Sequence, residues 1–534
     1  MERLLLIVFA TIISLFISTS AAGEFNFEAN PHRRSLDETL CNQLIKPAGY
    51  SCTEHTVQTK DGYLVALQRL SSRNKDPGGQ RGPPVLLQHG LFMAGDAWFL
   101  GSPEQSLGFI LADEGFDVWV GNVRGTFWSH GHVSLSEKDK VESIEYAFLP
   151  GFMILVTLWI VVLVAKSLSI DAKSIEHRLL FQEFWDWSWE ELALCDLAEM
   201  IHHVHSVTSS KVFIVGHSQG TIMSLAALIQ PNVAEMVEAA ALLCPISYLD
   251  HLTAPLVLRM VALHLDQMVL AMGIHQLNFR SKILIDLLDS ICDGHIECAD
   301  LLTSITGKNC CFNSSNVDFF FEFEPHPSSA KNLRHLFQMI RKGTFSRYDY
   351  GMFKNLELYG QLNPPAFDLG LIPKTLPLWM GYGGHDSLAD ETDLERTLKE
   401  LQGKPELLYL ENYGHLDFLL STQGKEDVYN NMIAFFRSLG KSSPLERSPR
   451  LDRAELLAAL LTRRSLSALQ MAPAENINPI ASAVLVEWNI YNGNEENEGV
   501  LELKLYRLDN SVCQRHREPM SEGPNSGLSV EARR

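Results

Sequence analysis

The sequence predicts an α/β fold: a mostly parallel central sheet covered by helices and carrying a large helical cap. Three observations support this. Short apolar runs alternate with helical patterns from Pro84 to Pro245, a Met-, Leu- and His-bearing helical stretch follows from Tyr248 to about Leu371, and strand patterns then return in "TLPLWMGYGGHD" and "PELLYLENYGHLDF". Strands alternating with helices imply parallel pairing with both faces of the sheet covered.

The elements follow in order. "PVLLQHGL" is a strand ending in a turn, "GFDVWVGNVRG" a strand leading into a Gly-containing loop, and "KVFIVGHSQG" a strand running into a turn. Between the last two, Ala193, Leu197, Met200, Ile201 and Val204 recur at helical spacing. "AAALLCP" is a further buried strand. The excursion at about 248–371 lies between two sheet strands and has the size of an inserted cap; its Met260, Met268 and Met272 suit a core filling or an adaptable surface equally well. Sites in such sheets lie at the carboxyl ends of the strands.

A chain of 534 residues can hold one large domain with a cap, or two to three smaller domains. A net charge of -20 disfavours non-specific attraction to nucleic acid or anionic lipid, so no nucleic-acid partner is expected. Arg3, the apolar run from Leu4 to Ile17 and the small residues Ser20 to Ala22 predict a secretory signal peptide over residues 1–22, the alternative being an anchor that stays attached. That route permits disulfides. Nine cysteines leave at least one free or paired to another chain; Cys41 with Cys52 and Cys292 with Cys298 each close a short loop, while Cys195 and Cys244 sit in apolar periodic segments and are expected as reduced core thiols. Asn313 begins "NSS", a glycan acceptor signal.

The chemistry centres on "VGHSQGT", where Gly216, Ser218 and Gly220 form a GxSxG pattern between a strand and the helical "TIMSLAALI". A serine on a tight strand-to-helix turn is presented for nucleophilic attack, and glycines beside it avoid side-chain clashes. Its hydroxyl needs a base, and the base needs an orienting acid. Asp386 and His415 each follow a predicted strand in a Gly-bearing loop, with Asp390 and Asp417 as rival acids. A tetrahedral oxyanion needs backbone N–H donors; Gln219 directly follows the serine, and Leu91 lies in the loop after "VLLQHG". His89 in that loop is expected to be structural.

"LLQHGL", "GNVRG", "VGHSQGT", "GGHDSLAD" and "NYGHLDF", in this order, resemble the acid lipase family of α/β-hydrolases, which includes lysosomal and gastric lipases; within it the chain is similar to the plant triacylglycerol lipases. The likeness spans roughly Leu40 to Leu439, with "GYSCTEHTVQTKDGYLVALQR" resembling the family's N-terminal region. It implies an α/β-hydrolase fold over 23–440, a Ser218–Asp386–His415 triad, and an oxyanion hole at Leu91 and Gln219. It also implies a cap and lid from Tyr248 to Leu371. The implied reaction is hydrolysis of long-chain acylglycerols at a lipid–water interface through an acyl-serine, with no metal or diffusible cofactor and no obligate protein partner. Steryl esters are the alternative substrate. The expected location is the secretory route, extracellular or in a vacuole or lysosome-like compartment.

One segment breaks the likeness. In the family the counterpart of "SLSEKDK" leads directly into that of "EFWDWSWEEL", but here Val141 to Gln182 intervene, including "YAFLPGFMILVTLWIVVLVAK", which has the length of a membrane span. A span here would put strands of one sheet on opposite sides of a bilayer, leaving sheet edges unsatisfied in lipid. Valine codons begin GT and one glutamine codon is CAG, so the segment fits the limits of a retained intron. The rival readings are a membrane-docking loop and an inactive, membrane-retained product. The extension at 441–534 carries no catalytic constellation and is expected to be extraneous or disordered, although "LERSPRLDRAELLAALLTRRSL" has a helical pattern and "SAVLVEWNIYNGNEENEGVLELKLYRLD" alternates like a hairpin. Expressed with and without Val141 to Gln182, only the shortened chain is expected to release fatty acid from a long-chain triacylglycerol emulsion in a Ser218-dependent manner; equal release by both would refute the intron reading.

Overall fold

Apolar strands buried on both faces build the centre of the molecule. The computed structural model describes residues 39–72, 81–137, 179–279, 298–312, 314–441, 484–488, 503–507 and 512–514. The expected signal peptide, Asn313, Cys292, nearly all of the segment from Val141 to Gln182 and the helix expected after Ser442 lie outside these residues. Residues 179–182 are described, and they lie in a helical turn that runs to 184.

The chain enters through β1 (Ser51–Gln58) and β2 (Tyr63–Ser71), an antiparallel pair. Then follow β3 (Pro84–Gln88), helix α1 (Leu107–Asp113), β4 (Asp117–Gly121), the short β5 (Gly131–His132) and helix α2 (Ala198–Thr208). Next come β6 (Val212–His217), helix α3 (Gln219–Leu228) and β7 (Val237–Leu243). All five residues of β3 and of β4 and all six of β6 are buried, as central parallel strands require. Ala193, Leu197, Met200, Ile201 and Val204 are all buried, so the helical spacing marks the face turned to the core.

Between β7 and the next sheet strand lie α4 (Pro255–Ala262), α5 (Leu265–Ala271), β8 (Gln276–Leu277), α6 (Cys298–Thr306), α7 (Ser314–Phe323), β9 (Ser328–Ser329), α8 (Ala330–Lys342) and α9 (Met352–Tyr359). The sheet then resumes with β10 (Leu378–Gly383), α10 (Glu391–Glu400), β11 (Glu406–Leu410) and α11 (Asn430–Lys441). The strand order is β1-β2-β4-β3-β6-β7-β10-β11, with β5 on β2. Every neighbouring pair from β4 to β11 is parallel, so the carboxyl ends of β3, β6, β7, β10 and β11 share one edge. A separate unit begins at Phe436; within it β12 (Val484–Trp488) pairs antiparallel with β13 (Leu503–Arg507).

Cys41 and Cys52 form a disulfide, as do the adjacent Cys310 and Cys311. Cys244 is free and buried, but Cys195, expected as a reduced thiol, is disulfide-bonded. Apolar periodicity reports burial, which a thiol and a half-cystine share, and so does not report oxidation state.

A buried ion network fixes the loop after β4. Arg124 is fully enclosed; its Nη1 lies 2.6 Å from Asp61 Oδ2, its Nε 2.8 Å from Asp196 Oδ1, and its guanidinium 3.8 Å from the Tyr63 ring centroid. Its main-chain N–H also donates to Asp196, at 2.9 Å. Burial raises the Asp196 carboxyl to about 6 although the guanidinium beside it opposes the shift. Removing one member of such a network strands the others. Arg124→Met is therefore expected to destabilise the fold by about 3–5 kcal/mol in urea unfolding; a loss below about 1 kcal/mol, the scale of an exposed pair, would show that the network is not desolvated.

Candidate active site

Strand β6 ends on His217 and α3 begins at Gln219, so the turn between them is Ser218 alone, at φ 55° and ψ −121°. A non-glycine residue holds such a conformation only when its surroundings impose it. Here the Ser218 N–H donates to the Leu243 carbonyl at 3.1 Å, and Thr221 Oγ1 donates to the Ser218 carbonyl at 2.6 Å. Close approach accounts for the glycines. A Cβ on Gly216 would stand 2.8 Å from the Gly220 carbonyl oxygen, and one on Gly220 only 2.4 Å from that of Gln88. A Cβ on Gly90 would meet the Ser218 Cβ at 3.0 Å. The loop after β3 thus lies directly on the serine turn, with half-buried Leu91 following Gly90. Gln219 opens α3, where helix N–H groups lack intrahelical partners.

Beyond β10 and β11 the structure joins the other two predicted residues. His415 Nδ1 lies 2.8 Å from Asp386 Oδ2, and both residues are buried. Asp386 Oδ1 accepts the N–H groups of Leu388 and Ala389 at 2.8 and 2.9 Å. Burial alone would raise this carboxyl; the charge and hydrogen bond of His415 and those two N–H donors outweigh it and hold it below the usual range. The rival acids are engaged elsewhere. Asp390 caps α10 by accepting from the Thr392 N–H, and the fully buried Asp417 accepts from the N–H groups of Gly414, Cys310 and Cys311 at 2.8, 2.9 and 3.0 Å.

The His415 backbone is pinned from two sides. Its carbonyl accepts the His217 Nε2–H at 3.1 Å and the Cys244 S–H at 3.4 Å, while its N–H donates to the Thr306 carbonyl at 3.1 Å. The Leu416 N–H donates to Asn309 Oδ1 at 3.1 Å, and Gly307 bridges to Asp386. Sequence reasoning found none of these braces: Thr306, Asn309, Cys310 and Cys311 come from the excursion, and only the "HLD" spacing set Asp417 near the histidine. His217, Cys244 and His415 offer side-chain atoms within 4.8 Å of one another, and the first two donate to the His415 carbonyl.

His89 behaves as expected of a structural residue. Its Nε2 accepts the Val123 N–H at 3.2 Å, so Nδ1–H donates to the Gly90 carbonyl at 2.9 Å. Burial lowers His89 to about 4, and burial followed by the charge of His415 lowers His217 to about 3.

The parallel sheet, the serine turn at its carboxyl edge and the buried His–Asp pair beyond the last two strands define an α/β hydrolase. Family models agree: one for a partial α/β-hydrolase lipase region matches residues 41–102, and one for the α/β hydrolase fold matches 83–422. Triacylglycerol lipase 1 of Arabidopsis thaliana is 62% identical over 405 residues, covering 76% of this chain and 92% of the relative. Triacylglycerol lipase 2 of the same plant is 34% identical over 428 residues, covering 78% and 92%, and human gastric triacylglycerol lipase 30% over 445, covering 80% and 98%. The chain belongs to the lipases of the α/β hydrolase family, which are ester hydrolases.

The lowered histidines have a pH consequence. Unfolded, His89 takes a proton below its ordinary value of 6.5; folded, it refuses one until about 4. Stability is therefore full above 6.5 and falls as the pH drops toward 4, by about 3 kcal/mol for this residue. In urea unfolding at pH 7 and pH 4.5, His89→Gln is expected to lose about 2 kcal/mol less than the wild type on acidification; equal losses would show that His89 is protonated in the fold.

Proposed function

We propose that the chain hydrolyses acylglycerols through an acyl-serine formed on Ser218. The observation that carries the reading is the 2.8 Å contact of His415 with Asp386 at the same sheet edge as the serine turn. His415 takes the Ser218 proton as its Oγ attacks the ester carbonyl, and Asp386 orients the imidazole and stabilises its charged form. The N–H groups of Leu91 and Gln219 receive the oxyanion. Collapse of this intermediate expels the alcohol, protonated by His415; water then attacks the acyl-serine with His415 again as base, releasing the fatty acid. The segment at 248–371 serves as a cap, and its helices present half-exposed apolar residues, including Leu258 and Met268, that suit a bulky acyl substrate. The disulfides Cys41–Cys52 and Cys310–Cys311 fit an oxidising, secretory compartment.

Fatty-acid release from a triacylglycerol emulsion is expected to fall by about four orders of magnitude in Ser218→Ala and comparably in Asp386→Asn. A fluorophosphonate probe is expected to label the wild type and not Ser218→Ala. Labelling that survives the serine change, or faster hydrolysis of a steryl ester than of the triacylglycerol, would overturn the reading.

A further inference from the structure

Behind the loop after β3 lies a buried cluster that the proposed reaction does not use. Asp96, Glu324 and His326 are at most 1% exposed, and their polar atoms lie within 4.8 Å of one another. Asp96 closely follows the loop bearing Gly90 and Leu91, whereas Glu324 and His326 come from the segment between β7 and β10, just past α7. The His326 main-chain N–H donates to the Phe92 carbonyl at 2.7 Å, and Glu324 Oε1 accepts the Ala94 N–H at 3.3 Å, so two bonds grip the loop on either side of Met93. The His326 ring meets Asp96 Oδ2 through Nε2 at 2.9 Å. The same oxygen accepts the Trp128 indole N–H at 3.1 Å.

One contact decides the chemistry of the cluster. The Phe127 N–H points at His326 Nδ1 at 3.1 Å, so that nitrogen is the acceptor and the ring proton sits on Nε2, aimed at Asp96. Neither ring nitrogen then has a lone pair for a cation, and the cluster is built for hydrogen bonding instead of metal ligation. The loop it grips needs such support, since Phe92 stands at φ 58°, a left-handed conformation unfavourable for a bulky side chain.

We propose that His326 is a positioning residue for ester hydrolysis: gripping Phe92 with its main chain and Asp96 with its ring, it holds the loop so that the Leu91 N–H meets the developing oxyanion. Glu324 completes the grip at Ala94. The inference rests on the reading of Leu91 as an oxyanion donor. Its consequence is that the segment between β7 and β10 is seated on the catalytic loop at this point and helps set transition-state stabilisation, in addition to any role in substrate entry.

The test uses the full chain and a soluble short-chain p-nitrophenyl ester, which removes interfacial effects, together with a trifluoromethyl ketone that forms a tetrahedral adduct with the serine. In His326→Leu, kcat is expected to fall about 10²-fold with KM changed less than about twofold, and Ki for the ketone to rise in proportion. His326→Gln, whose amide N–H still reaches toward Asp96, is expected to recover part of the loss. Unchanged kcat and Ki with only a lower melting temperature, or a rise in KM alone, would overturn the positioning role while leaving the serine mechanism intact. If His326→Leu does not fold, Asp96→Asn replaces it with the same expected pattern and the same overturning outcomes. Ser218→Ala and Leu91→Pro are the controls: retained kcat in either would sink the underlying site reading and the positioning role with it.

Discussion

The site depends on two pieces of backbone lying closer together than side chains would allow. The carbonyl oxygens of Gln88 and His89 stand 2.4 and 2.8 Å from where a Cβ on residue 220 would be, and Gly216 and Gly90 are crowded in the same way by Gly220 and Ser218. A methyl group on Gly220 or Gly90 would push the loop after β3 off the serine turn, and one on Gly216 would push the start of α3 away from the end of β6; misplacement by about 1 Å is enough to cost about two orders of magnitude in rate. The parallel register of β3 with β6 brings the two loops to the same edge, and the glycines let them touch.

Around this contact the fold places neutral histidines. His89 and His217 are fully buried and each donates a ring N–H to a backbone carbonyl, Gly90 and His415 respectively. Because burial keeps both uncharged, neither competes with His415 for Asp386, whose carboxylate is left to His415 and two backbone donors. Arg124 does comparable work further back. It holds the loop after β4 between Asp61 and Asp196, and that loop supplies the Val123 N–H for His89 and the Phe127 N–H for His326. Charge burial at one place thus sets hydrogen-bond geometry at another.

The excursion between β7 and β10 braces the loops at the sheet edge. Residues 306–311 hold the His415 loop through Thr306, Asn309 and the N–H groups that converge on Asp417, and residues 324–326 grip the loop after β3. The loop bearing His415 and the loop after β3 are therefore both held partly by chain that is outside the central sheet.

Much of this was legible in the sequence because it is local. Strands buried on both faces announce themselves as apolar runs, the serine turn as glycines two residues before and after Ser218, and Asp386 and His415 as polar residues just past strands in Gly-bearing loops. Those signals determined the sheet, the edge and the residues worth testing, and they placed His89 correctly as a loop support. They did not separate Asp386 from Asp390 and Asp417 on chemistry, since all three are acids near strand ends; only the folded chain shows Asp386 against His415 while Asp390 and Asp417 are bonded elsewhere. Nor did they reveal that Cys195 is oxidised, that Thr306 and Asn309 brace the histidine loop, or that Asp96 meets His326. Such pairings join residues 230 positions apart in the case of Asp96 and His326, and only the folded chain brings them within hydrogen-bond reach.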